Sequence, residues 1–151
     1  MYQLSERTIG QWLEYWAENE PDKEYIVYSD RNLRWTYRYF NSRVDELAKG
    51  LMAIGVKQGT HVGIWAANIP DWTTMLMACS KLGAVTITVN TNFKQYEVED
   101  LCLRSDMEVL CIGDHNKDNN FVQMTYQMLP ELKTQPFGQL RSDKLPCMRQ
   151  V

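Results

Sequence analysis

The sequence contains no C-x-x-C pair, no G-x-G-x-x-G, no G-x-x-x-x-G-K-S/T, and no run of about 18 apolar residues. Each absence removes a class of function. Cys79, Cys102, Cys111 and Cys147 stand far apart, which excludes a zinc knuckle and a thioredoxin-like redox pair and marks them as reduced, mostly buried small hydrophobes. Without the glycine-rich fingerprints there is neither a Rossmann dinucleotide loop nor a Walker phosphate loop. Met1–Gly10 carries charged residues and no apolar stretch of signal-peptide length, so the expected compartment is the cytoplasm, with no transmembrane segment. Lys and Arg number 16 against 19 Asp and Glu, a net charge of -3, and the basic residues are scattered. Nothing tracks a phosphate backbone, and nucleic acid is excluded as an expected partner.

What is present is the composition of a globular protein: 151 residues, 44% of them hydrophobic, enough for one domain with its own core and no covalent staple. Thr8 with Gln11 resembles a capping box, and Ile9, Trp12, Leu13 and Trp16 follow at helical spacing until Pro21. Tyr25–Tyr28 and Leu33–Thr36 are β-prone runs around the turn-forming Ser29–Asn32, which predicts a small antiparallel hairpin. From Tyr37 to Leu51 apolar residues recur every three or four positions, with Thr36 as N-cap and Gly55 as terminator.

Val62–Ala67 shows almost no polar alternation, as in a strand covered on both faces. Asn68 and Pro70 read as the N-cap and first turn of a helix over Asp71–Leu82, apolar nearly all round and so expected between layers. A strand at Ala84–Val89, a helix at Gln95–Arg104, a strand at Val109–Ile112 and a helix over about Asn119–Leu129 complete the series. This alternation is the βαβ pattern, and the fold class is α/β: a mainly parallel sheet flanked by helices, with the small hairpin at the N-terminal side. The organisation expected is 8–36 helix plus hairpin, 37–129 βαβ core, and 130–151 irregular connection into a further strand that the chain does not include.

Candidate chemistry is sparse. Cys111 and His115 both lie where a strand leaves the sheet, but no third group orients them as nucleophile and base, so a core cysteine and a solvated loop histidine are the preferred reading. Glu97, Glu99 and Asp100 point in different directions from one helix and form a solvated face rather than a metal site. His61 opens a strand as a structural histidine, and the Trp- and Met-rich helix after Asn68 reads as core. No residue is assigned as catalytic, cofactor-binding or metal-binding. Parallel sheets bind ligands beyond the carboxyl ends of their strands. Two such ends hold Asn68 and the group Asn90, Thr91 and Asn92, which are turn and cap formers by type and candidate cleft-wall residues by place.

The chain resembles a known family. Trp35-Thr36-Tyr37, Gly55-Val56-Lys57-Gln58-Gly59, Asn68-Ile69-Pro70-Asp71-Trp72, Lys81-Leu82-Gly83-Ala84 and Val89-Asn90-Thr91-Asn92 occur in the order seen in adenylate-forming (AMP-binding) enzymes. Glu97, Ser105-Asp106 and Leu129-Pro130-Glu131-Leu132 extend the likeness, which is greatest to the fatty-acyl-CoA synthetase, or long-chain-fatty-acid-CoA ligase, branch. Thr60 departs from the aspartate usual in the family, and Val89 from a common proline.

The resemblance implies a two-step acid–thiol ligase using a fatty acid or other carboxylic acid, ATP with Mg2+, and CoA. In the family the chemistry belongs to a Ser/Thr/Gly-rich phosphate loop ending in Pro-Lys, a later aspartate and a lysine of a mobile C-terminal domain, none of which occurs in these 151 residues. The chain is therefore expected to be a truncated N-terminal piece, inactive alone, without a cofactor of its own, and self-associating through an exposed apolar face. The alternative is a stand-alone flavodoxin-like binding or interaction module.

Overall fold

Helix α1 (Ile9–Asn19) begins where Thr8 Oγ1 accepts from the Gln11 amide at 3.2 Å while the Gln11 side chain accepts from the Thr8 amide at 2.8 Å, a complete capping box. The structure, a computed structural model, describes residues 6–151, so the reading of Met1–Gly10 falls partly outside the described residues. Strands β1 (Glu24–Tyr28) and β2 (Leu33–Thr36) pair antiparallel across a 3-10 turn at Ser29–Arg31, with Asn32 in the left-handed region at φ 49°. Thr36 caps α2 (Tyr37–Ala53), accepting from the Tyr39 amide.

Three parallel strands follow. β3 (His61–Trp65) is central, with β4 (Val85–Thr88) on one side and β5 (Val109–Ile112) on the other. Ile64 is level with Thr88 on one side and with Cys111 on the other. The chain leaves β3 through α3 (Pro70–Leu82), returns as β4, then crosses over through α4 (Gln95–Arg104) to β5. Two right-handed crossovers in opposite directions place α3 and α4 on opposite faces. The core divides accordingly. Val62 and Val109 pack with Leu13, Phe40, Val44, Leu51, Met77 and Cys79 from α1, α2 and α3. Trp65 and Leu110 pack with Val98, Cys102, Phe121 and Met128 on the other face. Successive β5 residues thus face alternate layers, the period of two of a strand.

Gly63 lacks a side chain because Met107 occupies the space: a Cβ there would lie 2.4 Å from the Met107 sulfur and 3.0 Å from Leu110 Cδ1. Lys81, with a side chain only 10% exposed, joins the three helices of its layer. Its Nζ lies 2.9 Å from Glu14 Oε1, 2.8 Å from Asn41 Oδ1 and 2.6 Å from Asp45 Oδ1. Gly83 ends α3 at φ 68°, and its carbonyl accepts from the Gly59 amide at 2.9 Å, tying the helix terminus to the turn before β3.

Two departures from expectation bear on the loops at the strand ends. Asn68 is not the N-cap of α3; Ile69 is, with no side-chain cap, because the Ile69 amide turns back to Ala67 O at 2.8 Å. The Asn68 carbonyl instead accepts from the Tyr28 hydroxyl at 2.9 Å. The last helix, α5 (Phe121–Met128), starts two residues later than Asn119, since β6 (His115–Asn116) and β7 (Asn119–Asn120) form a short hairpin and Asn120 is the cap, accepting from the Gln123 amide at 2.8 Å. Period-based reading misses a two-residue strand because it has no period to show.

After a 3-10 turn at Pro130–Lys133, Leu140, Leu145 and Met148 are buried in the α4/α5 layer. Gln150 then forms a parallel bridge with Val109 on the outer edge of β5. Among the described residues no helix is long and apolar enough to cross a membrane.

Two outcomes follow from this packing. Gly83→Ala forces an L-residue into the left-handed region with its Cβ about 3.2 Å from Gln58 Cγ, and it should lower stability by about 1–2 kcal/mol, read from the urea midpoint. Burial pushes the Cys102 and Cys111 thiols up to about 12 and raises that of Cys79. Cys147 is exposed, although loss of hydration and the Asp106 carboxylate also raise it. At pH 8 a disulfide reagent should modify Cys147 rapidly and the other three only on unfolding; a second fast thiol in the native protein would contradict the layer assignment.

Candidate functional site

The carboxyl ends of β3, β4 and β5 open onto three loops: Ala66–Ile69, Val89–Lys94 and Gly113–Asp114, the last leading into β6. Chain direction alone puts them on one edge of the sheet, because all three strands are parallel. The Val89 amide still bonds to Ile64 O at 3.0 Å and the Gly113 amide to Trp65 O at 2.9 Å, so the loops leave the sheet at one level around β3. This is the position at which open α/β sheets bind ligands, where strand order reverses about the first strand.

Asn68 is exposed at the end of β3, its carbonyl held by Tyr28 from the β1–β2 hairpin. Asn90 and Asn92 are exposed and Thr91 half-buried. Asn90 Oδ1 accepts from the Asn92 amide at 2.9 Å, a side-chain-closed turn that makes room for α4 to start. The Asn90 and Asn92 side chains are thus engaged in, or carried by, a turn whose outer surface faces the strand-end edge.

The residue that organises this edge was not singled out from sequence. Asn119 is 7% exposed, its Nδ2 donates to Thr91 O at 2.8 Å, and its Oδ1 accepts from Lys94 Nζ at 2.6 Å. One buried amide therefore fixes the β4–α4 loop to the hairpin that follows β5. Its partners are 25 and 28 positions away, beyond any local pattern. Lys94 also opens α4, where its amide donates to Glu97 Oε2 at 2.8 Å.

The other sequence candidates separate. Cys111 lies within β5 against the α1–α3 layer, whereas His115 is on the exposed hairpin with Nδ1 3.1 Å from Asp114 Oδ2. The His115 amide donates to Asp114 at 2.8 Å and holds its carboxyl below the ordinary range. Burial keeps Cys111 a thiol, so the pair has no activated nucleophile. Glu97 serves the α4 cap, Glu99 pairs with Lys144 at 2.5 Å, and Asp100 pairs with Arg104 at 2.8 Å, one turn on. His61 opens β3 with Nδ1 2.5 Å from Ser105 O, a structural link between β3 and the end of α4.

Comparison with known proteins places this geometry. In sequence the chain is similar to YngI of Bacillus subtilis (strain 168), named as an acyl-CoA synthetase, at 40% identity over 149 residues, covering 99% of this chain and 27% of that protein. It is similar to the mitochondrial medium-chain acyl-CoA ligase ACSF2 of Danio rerio at 30% identity over 148 residues, 98% of this chain and 24% of that one. The chain thus spans about a quarter of the length of these curated relatives. In fold it resembles the inhibitor-bound N-terminal domain of FACL13 from Mycobacterium tuberculosis, with TM-score 0.76, 22% identity, and coverage of 95% of this chain and 32% of that one. A long-chain-fatty-acid CoA ligase from Rhodopseudomonas palustris gives TM-score 0.74 at 22% identity, covering 85% of this chain and 31% of that one. The family of AMP-binding enzymes matches residues 13–145, and with nearly the whole described fold inside that span, the chain belongs to the AMP-binding enzyme family.

Proposed function

We propose that these residues form the opening scaffold of an ATP-dependent acyl-CoA synthetase. The observation that supports this most is a family-matched parallel sheet whose carboxyl edge is built and pinned, by Asn119 above all. In the parent reaction a carboxylate oxygen attacks the α-phosphorus of ATP, pyrophosphate leaves, and the CoA thiol sulfur then attacks the acyl carbon and displaces AMP. Positioning and charge neutralisation dominate such steps, and the charge neutralisation falls to parts of the parent outside these 151 residues.

The chain's own contribution in this proposal is geometric. Asn68, Asn90, Thr91 and Asn92 form one wall of the substrate cleft, their amide and hydroxyl groups offering uncharged hydrogen-bond donors and acceptors. The carboxylates of Glu97, Glu99 and Asp100 are engaged within the fold, and among the described residues no three acidic, His or Cys side chains converge on a point that could hold a cation. Mg2+ arrives as the ATP complex. Residues 8–36 and 37–129 act as the rigid base, and 130–151 carries the chain toward further structure. The half-buried Trp72, Met75 and Leu76 of α3 supply a surface for self-association when the scaffold stands alone.

Assayed alone, the 151-residue chain should show no ATP–pyrophosphate exchange with a medium- or long-chain fatty acid, whereas the parent should exchange and form acyl-CoA. Exchange above background by a clean preparation of the 151 residues would contradict the scaffold assignment.

A further inference from the structure

The segment between Lys133 and Gln150 closes around side chains that the strand-end loops do not use. Gln135 brackets Arg141: its Oε1 accepts from the Arg141 amide at 2.6 Å, and its Nε2 donates to the Arg141 carbonyl at 3.0 Å. Arg149 is held separately, where its amide donates to Glu108 O at 2.8 Å and its guanidinium pairs with the Glu108 carboxylate. Glu108 immediately precedes β5, so Arg149 stands at the amino end of the sheet, opposite the loops that carry Asn68 and Asn90–Asn92.

These residues surround an open cavity of about 960 Å3. Arg141, Asp143 and Arg149 are its charged lining, Pro136 and Pro146 give it apolar wall, and Ser142 lies in the same lining. Two guanidinium groups against one carboxylate leave that lining with an excess of positive charge. Among the described residues neither Arg141 nor Asp143 takes part in an ion pair. Ser142 is 7% exposed, and its buried Oγ has no hydrogen-bond partner. Such a hydroxyl is ordinarily bonded, and the free energy lost by leaving it bare is recovered by a ligand that accepts from it.

An arginine fork matches the paired oxygens of a carboxylate or a phosphate. A carboxylate has two oxygens, which one fork occupies. A phosphate monoester presents three acceptor oxygens, enough for two forks and a hydroxyl together. The volume is far larger than a phosphate group and falls in the range that holds a small organic molecule.

We propose that this cavity binds a small soluble phosphate monoester. Its phosphate lies between Arg141 and Arg149 and accepts from Ser142 Oγ, and its apolar or ring-shaped body rests against Pro136 and Pro146. Asp143 opposes the charge of the phosphate and limits its affinity. Nothing in this binding depends on the ligase reading.

The test is titration of the 15N-labelled 151-residue chain with phenyl phosphate and with inorganic phosphate, in about 0.1 M NaCl so that loose surface attraction is screened. Saturating shifts should appear at Arg141, Ser142 and Arg149, with phenyl phosphate the tighter ligand. Arg141→Gln should weaken binding about tenfold or more and Ser142→Ala about threefold, while Asp143→Asn strengthens it. Ser142→Ala removes a hydroxyl without a partner in the fold, so the urea midpoint should not fall and the weaker binding is not a loss of structure. Affinities of all three variants equal to that of the unaltered chain overturn the proposal. Shifts confined to exposed lysines do the same, since they mark an adventitious ion only. A lipid phosphate is the other source of this chemistry: sedimentation with phosphatidylcholine vesicles containing phosphatidic acid, without binding of phenyl phosphate, also overturns the assignment of a small soluble ligand.

Discussion

Burial of β3 on both faces is the constraint from which the remaining structure follows. Val62, Ile64 and Trp65 are each no more than 2% exposed, so water is excluded above and below a five-residue strand. A parallel strand in that position needs helices on each face, and opposite crossovers from β3 to β4 and from β4 to β5 provide them. The same crossovers place the chain reversal, and therefore the loops with Asn68 and Asn90–Asn92, at one end of one sheet.

Around that strand the packing is specified by particular shapes. Gly63 leaves the space that Met107 fills, and Trp65 stacks against Phe121 with ring centroids 4.4 Å apart, so the α4/α5 layer fits only one side of β3. On the other side Lys81 brings Glu14 and Asp45 to one ammonium group, which fixes the angle between α1, α2 and α3. Both carboxylates are about half exposed, with side-chain values of 51% and 42%, and solvent weakens the attraction; the contribution is to orientation more than to stability.

Much of this was legible in the sequence. The unbroken apolar run at Val62–Ala67 identifies a doubly covered strand, the three-and-four spacing from Tyr37 identifies α2, and Thr8 with Gln11 announces the α1 cap. Gly83 after Lys81 marks where α3 stops. What was not legible is what depends on distant partners: the Asn68 carbonyl captured by Tyr28, the Asn119 clamp on Thr91 and Lys94, and the pairing of Gln150 with Val109. The Asn90–Asn92 turn was expected as either a turn or a cleft wall. The turn is there in the hydrogen bonds, and the cleft role belongs to the proposed function. The family itself was legible from ordered motifs none of which carries chemistry, because those motifs are mostly the caps and turns of the scaffold.

If both layers depend on β3, they must unfold together. Cys102 reports the α4/α5 layer and Cys79 the α1–α3 layer, both buried in the native protein. Pulse labelling of these two thiols across a urea gradient measures each layer separately. Coincident midpoints are the expected result; two separated transitions would show that the layers are independent units and that the shared strand is not what holds the scaffold together.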